Sequence, residues 1–254
     1  MLSATIITFN EEKNIGRCID SLNGVADEII VVDSFSADAT EKICNSKNVR
    51  FIQHKFDGHI QQKNFAMEQA THPMVLSLDA DECLSNELKK SLLRIKQQPE
   101  FDGYFMNRKN NFCGKWIRHC GWYPDRKLRL WKKEIGSWGG MNPHDKVVMN
   151  EGTTTVFLKG DLLHYTATSV EQFKLQQERF AAIAAKEIYE KGKKSNLILN
   201  VLRASLMFVR KYFFQLGFLD GYYGWVICSE GAKYTFRKYM KSKTLLNDNT
   251  GRKK

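Results

Sequence analysis

Three carboxylates fall within four positions at the end of an apolar run, Met74-Val75-Leu76-Ser77-Leu78-Asp79-Ala80-Asp81-Glu82. A short apolar run between polar flanks reads as a strand buried in a parallel sheet. Residues just past the carboxyl end of such a strand lie where open α/β sheets bind ligands. Two aspartates one residue apart repel each other unless a cation stands with them. Hard divalent cations take oxygen ligands, and magnesium uses one or two carboxylates together with substrate phosphates. The chemistry indicated by Asp79 and Asp81 is therefore a metal-bridged, phosphate-bearing donor. The pattern is short, and by itself it also fits Asp79 as a helix cap and Asp81 as a solvated carboxylate.

The elements around this stretch would bring other polar groups to the same place. Residues 3–8, 28–33, 49–54 and 74–78 read as strands, and 14–22, 37–46 and 61–70 have helical spacing of apolar side chains. That alternation predicts right-handed crossovers and a mainly parallel sheet. The first strand runs into Asn10-Glu11-Glu12, the second into Asp33-Ser34 and the fourth into Asp79-Ala80-Asp81, so three polar clusters converge on one sheet edge. Asn10, Ser34 and Ser36 would serve equally as helix caps. Lys63, in the helix before the fourth strand, either reaches a nucleotide or its phosphates or is a solvated surface lysine. No glycine-rich dinucleotide fingerprint follows the first strand and no phosphate-binding G-x-x-x-x-G-K-S/T appears, which removes the main support for both of those chemistries.

The pattern changes after a helix that starts at Ser85-Asn86-Glu87 and ends near Gln97, with Pro99 beyond it. Residues 103–163 read as short strands and loops in which Trp116, Trp122, Trp131 and Trp138 stand among basic residues. Aromatic faces suit sugar rings, and equally serve as core anchors. Asp145 enters a strand after the Asn142-Pro143 turn and could act as a general base toward an acceptor hydroxyl. His164 ends a second apolar run, as a metal ligand or as a hydrogen-bonded histidine at the core edge.

From Ser169 onward the chain is helical: 170–191 behind a Ser169 cap, then a very apolar 197–219 interrupted by Arg203, Arg210 and Lys211, a break at 220–225, and 226–241 bearing Lys233, Arg237, Lys238 and Lys241. The formal charge of +11 comes wholly from residues 191–254, which hold 14 Lys and Arg against 3 Asp and Glu. A basic helical region with apolar faces fits the interface of an anionic membrane leaflet, and the alternative is a helical hairpin packed on the sheet domain. The sequence shows no secretory leader and no run of about twenty apolar residues, so neither export nor a membrane span is expected. Six cysteines without a C-x-x-C pair predict buried free thiols in a reducing compartment, and Cys113, His119 and Cys120 lack a complete zinc spacing.

With these stretches together, the chain resembles the inverting family 2 glycosyltransferases of the GT-A fold. Thr8-Phe9-Asn10-Glu11-Glu12 is similar to that family's opening motif, Asp33-Ser34-Phe35-Ser36-Ala37-Asp38 to its nucleotide-base loop, and Asp79-Ala80-Asp81 to its D-x-D. Asp125-Arg126-Lys127-Leu128-Arg129-Leu130 and His144-Asp145 follow in the family's order, with Asp145 where many members carry the longer glutamate. The match covers most of residues 1–168. Gly217-Phe218-Leu219-Asp220-Gly221 resembles the branch that adds glucose to the inner core of lipopolysaccharide.

The resemblance implies a glycosyltransferase domain over 1–168, and the charge and apolar faces of 169–254 mark it as a basic, membrane-associating helical region. It implies donor contacts from Thr8, Asn10, Glu11, Asp33, Lys63, Asp79 and Arg129. Asp33 would lie near the uracil, Lys63 near the base or ribose, and Asp79 toward the ribose and metal. Asp81 would ligate Mg2+ or Mn2+ with His164 as a further metal contact, and Asp145 would be the base. UDP-glucose is the implied donor, a lipid-linked saccharide (the inner-core heptose, with another lipid- or polyprenyl-linked acceptor as the alternative) the acceptor, and the inner face of the cytoplasmic membrane the location. A nucleotidyltransferase, which would release pyrophosphate, a catalytically inactive membrane scaffold, and an RNA-binding protein using the basic tail are the rivals. Without a ribonucleoprotein or finger motif, no nucleic-acid partner is expected.

Overall fold

The computed structural model describes residues 1–141, 144–192 and 195–251. Asn142 and Pro143, the turn expected before Asp145, lie outside the described residues, as does the side chain of His144. The elements in chain order are β1 (Leu2–Thr8), α1 (Ile15–Leu22), β2 (Glu28–Asp33), α2 (Thr40–Asn45), β3 (Arg50–Gln53), α3 (His59–Glu68), β4 (Met74–Asp79), β5 (Glu82–Leu84), α4 (Asn86–Gln97), β6 (Gly103–Phe112), β7 (Lys115–Trp116), β8 (Asp125–Lys132), β9 (Gly136–Met141), β10 (His144–Met149), β11 (Thr155–Ala167), α5 (Val170–Glu190), α6 (Leu197–Val209) and α7 (Gly221–Gly251). They form two compact units, one of Met1–Lys109 with Pro124–Tyr165 and the other of Asn110–Tyr123 with Thr166–Lys254.

The first unit is an α/β domain. Its sheet runs β3-β2-β1-β4-β8-β6-β11-β5. The first four strands are parallel, as their buried apolar runs predict. β8 then joins β4 antiparallel, and β5 pairs antiparallel with β11. Successive side chains point to opposite faces of a strand. Val31, Leu76 and Leu78 accordingly pack with Ile15, Ile19 and Leu22 of α1 and Leu88 and Leu92 of α4. Ile30, Val32 and Val75 face the other way, onto Ala66 and Met67 of α3 and the Trp131–Trp138 pair. Trp131 is fully buried and Trp138 nearly so, their rings 6.1 Å apart edge to face, so neither is an open platform for a sugar. Ser85 caps α4 as expected, accepting from the Leu88 amide at 3.2 Å. β11 passes so close to this helix start that a Cβ on Gly160, at φ +97°, would stand 2.2 Å from the Leu88 nitrogen.

The second unit has its own core, in which Phe112, Ile117, Cys120 and Phe173 pack with Val226, Ile227 and Cys228 of α7. Residues 110–123, expected in the sheet domain, belong here. The Asp220 carboxylate accepts from the His119 amide at 2.8 Å, and Lys115 Nζ donates to the Asp220 carbonyl at 2.7 Å. The expected apolar helix over 197–219 ends at Val209, continues as a π-helical turn over Arg210–Phe214 and closes with a 3-10 turn over Gly217–Asp220. The following helix starts at Gly221, five residues earlier than its apolar spacing predicts. All six cysteines are free and all but Cys113 are buried. No helix among the described residues is long and apolar enough to cross a membrane.

Candidate active site

Parallel pairing sets the site. Thr8 at the end of β1 is in register with Asp33 of β2, and Ile7 with Asp79 of β4, so the three polar clusters read from the sequence share one edge. β2 and β4 flank β1 and are reached by connections of opposite direction, the switch point at which such sheets form a ligand crevice.

The loops after β1 and β2 are bound to each other. Asp33 is 0% exposed, and its Oδ2 accepts from the Ser36 amide at 2.8 Å, which tightens the turn in which Phe35 adopts φ +62°. Asn10, at φ +54°, donates its amide to Ser36 Oγ (2.7 Å) and accepts from the Ala37 amide (2.8 Å), while the Glu11 amide donates to Thr40 Oγ1 (2.9 Å). Asparagine tolerates this left-handed conformation better than most residues. The hydroxyl of Thr8 is buried with no hydrogen-bond partner among the described residues.

Lys63 is not a solvated lysine. It is 4% exposed, and its ammonium donates to Asp145 Oδ2 at 2.7 Å, stands 3.0 Å from Asp79 Oδ1 and lies 4.2 Å from the centre of the Trp138 ring. Arg129, 2% exposed on β8, donates through Nη2 to Asp79 Oδ2 (2.9 Å) and to Glu82 Oε1 (2.7 Å). Burial works to raise the Asp79 carboxyl, but the Lys63 and Arg129 cations hold it well below the usual carboxylate range. Burial likewise disfavours the Arg129 charge, and Glu82 and Asp79 more than offset it. Arg129 Nε and Nη1 are buried without hydrogen-bond partners among the described residues.

Asp81 and His164 are brought together by the β5–β11 ladder, in which His164 pairs with Glu82, and the Tyr165 amide donates to the Asp81 carbonyl. Asp81 Oδ2 is 3.1 Å from His164 Nε2. Glu11 joins this corner electrostatically. Its carboxyl is raised by burial, lowered by a hydrogen bond from Asn14, and raised further by the Asp81 and Asp38 charges. No group of three or more His, Cys, Asp or Glu able to hold a metal occurs among the described residues, and this includes the neighbourhood of Cys113, His119 and Cys120. A carboxylate and an imidazole 3.1 Å apart fit two positions of a Mn2+ or Mg2+ shell whose remaining ligands are diphosphate oxygens and water.

Glu82 and Arg108 received no role from the sequence. Glu82 is almost fully buried, accepts from the Asp79 amide at 3.0 Å and receives both Arg129 (2.7 Å) and Arg108 (3.4 Å). Its position directly after the D-x-D was the one available signal. Arg108 continues the network to Asp125 at 2.8 Å. Nothing in the sequence linked it or Trp138 to the aspartates, because the contacts are made across strands.

A crevice at the switch point of a parallel sheet, carrying a D-x-D and buried cations, defines a nucleotide-sugar transferase of the GT-A type. The chain matches the model of glycosyl transferase family 2 over residues 3–151 and belongs to that family. It is 29% identical to the lipopolysaccharide core biosynthesis glycosyltransferase LpsC of Rhizobium meliloti, over 92% of this chain and 89% of LpsC. It is 28% identical to an uncharacterized glycosyltransferase of Rickettsia typhi, over 94% of this chain and 85% of that one. Among solved structures it resembles the mannosyltransferase PcManGT of Pyrobaculum calidifontis, in complex with GDP-Man and Mn2+, with TM-score 0.55 and 12% identity over 95% of this chain and 86% of that one. That likeness is one of fold.

Proposed function

We propose that this glycosyltransferase moves glucose from UDP-glucose, with inversion at the anomeric carbon, onto a hydroxyl of a lipid-linked saccharide such as the inner-core heptose of lipopolysaccharide. The observation that carries this reading is the Lys63 bridge, which holds Asp145 of β10 beside Asp79 at the end of β4. A candidate base for the acceptor thus stands next to the carboxylates expected to meet the donor. The LpsC similarity supports a lipopolysaccharide acceptor, and the family resemblance supports UDP-glucose as donor.

Asp33 and the zipped loops after β1 and β2 would receive the uridine, with the buried Thr8 hydroxyl, Asn10 and Glu11 lining the same edge. Lys63 and Arg129 fix the Asp79 carboxylate between them and so orient it toward the donor ribose. Asp81 and His164 would hold Mg2+ or Mn2+, which supplies neutralisation of charge on the departing diphosphate. Lys63 takes one oxygen of Asp145, leaving the other to accept the proton of the acceptor hydroxyl as the hydroxyl oxygen bonds to the anomeric carbon. The bond from that carbon to the diphosphate breaks in the same displacement, and UDP leaves with the electron pair. An acceptor embedded in the inner leaflet would place the enzyme on the cytoplasmic face of the membrane, with the basic helical region at the lipid.

Calorimetric titration of nucleotide sugars with and without Mn2+ tests the donor site. Binding of UDP-glucose that strengthens with the metal is expected. A folded sample that binds no nucleotide sugar under either condition overturns the proposal in favour of an inactive scaffold.

A further inference from the structure

In the second unit the basic side chains of α7 differ from Arg210 in their surroundings. On α7, Lys233 pairs with Glu230 (2.7 Å), and Arg237 and Lys241 each reach Glu178 of α5 at 3.0 Å. Lys238 stands over the rings of Tyr234 and Tyr239. This helix, one part of the basic region that the sequence offers to a membrane, has three of its cations paired. Arg210, after α6, is exposed and has no such partner among the described residues.

The apolar surface lies with that unpaired charge. Ile198, Leu202 and Leu206 recur every four residues along the outer side of α6 and are 80%, 51% and 58% exposed. Phe208 and Tyr212, on the inner side, pack on the core. The π-helical turn keeps Phe213 and Phe214 both outward, and Leu219 extends the same apolar series past the left-handed Leu216. Apolar surface of this extent rarely faces water on a monomer and marks an interface.

We propose that the outer side of α6 and the π-helical and 3-10 turns after it insert into an anionic phospholipid leaflet, lying in its plane, with Arg210 at the phosphates. This deepens the membrane-bound acceptor reading above by assigning its docking surface, and rests on it. Charge complementarity selects the occupant: a segment with 14 cationic against 3 anionic side chains over residues 191–254 favours a negatively charged surface. No described helix is long and apolar enough to cross the bilayer, so the element lies along the interface.

The test is flotation of the full chain with vesicles of phosphatidylcholine alone or mixed with phosphatidylglycerol. UDP-glucose titration, light scattering and thermal unfolding are run on the same samples. The parent chain is expected to float with the anionic vesicles and to detach as salt rises. Leu202→Glu with Leu206→Glu, and separately Phe213→Ser with Phe214→Ser, should each weaken partition by about tenfold or more, given the apolar area withdrawn from lipid. Arg210→Glu should weaken it at low salt only. Unfolding and donor binding should stay at parent values in all three. Flotation equal in parent and variants, or equal on neutral and anionic vesicles, overturns the proposal. So does a parent dimer that the substitutions convert to monomer, because the face then docks a second copy. If flotation behaves as expected while no nucleotide sugar binds, the docking surface stands and the transferase reading fails.

Discussion

The Lys63 ammonium lies 2.7 Å from a carboxylate oxygen of Asp145, across 82 residues of sequence, and both side chains are largely withdrawn from water. A buried cation left without partners is costly, and so is a buried carboxylate left without its cation. The pair therefore fixes where β10 presents its acid, beside the end of β4.

Lys63→Met should lower stability by roughly 3 kcal/mol, because it leaves Asp79 and Asp145 together without the charge between them. Chemical denaturation would measure this. A loss within experimental error would mean that both carboxylates are solvated in the free enzyme.

Asp145→Asn keeps the shape and one acceptor oxygen for Lys63 but removes the carboxylate that would take the proton. Turnover should fall by about a hundredfold or more with donor affinity close to that of the parent. Unchanged turnover would exclude Asp145 as the base, and a parallel loss of UDP-glucose affinity would make it a donor ligand instead.

Asp81→Ala and His164→Ala should each shift the Mn2+ dependence of donor binding to higher metal concentration, since either change removes one of the two side-chain ligands proposed above. The measurement is calorimetry of UDP-glucose against a metal series. A titration matching the parent in both variants would place the metal elsewhere.

Two site carboxyls should respond to pH in opposite senses, in metal-free buffer. Asp79 is pushed up by burial but held well below the usual range by Lys63 and Arg129. Its stabilising contribution is fully present above the unfolded carboxyl value of about 4 and is lost as pH falls toward the native value. Asp79→Asn should therefore flatten the acid limb of the unfolding curve.

Glu11 is raised above its ordinary value, chiefly by burial. Its native state holds the proton more tightly, so a penalty develops as pH rises through the native value and is absent below about 4. Glu11→Gln should raise the melting temperature at neutral pH and lose that advantage in acid. Melting temperatures from pH 3 to 8 would show both signs.

Four strands and the helices between them were legible in the sequence. Apolar runs of strand length alternated with helical spacing, and that order allows little but a parallel sheet. The convergence of Asn10, Asp33 and Asp79 followed from it, because polar residues after parallel strands all emerge at one edge. The D-x-D and the motifs in series made the family readable. What only tertiary structure decided is which charges meet. Lys63 reads like any helix lysine until α3 packs it against Trp138, and Glu82 acquires its two arginines only when β8 and β6 lie beside β4 and each other. Residues 110–123 joined the C-terminal unit through Asp220, about a hundred residues away. Composition marked the whole region 169–254 as basic, and only the packing of α7 on α5 showed that Arg237 and Lys241 are paired to Glu178 while Ile198, Leu202 and Leu206 of α6 stay exposed. Periodicity records which way a side chain faces within its own element. Ion pairing depends on distances between elements, which no local pattern carries.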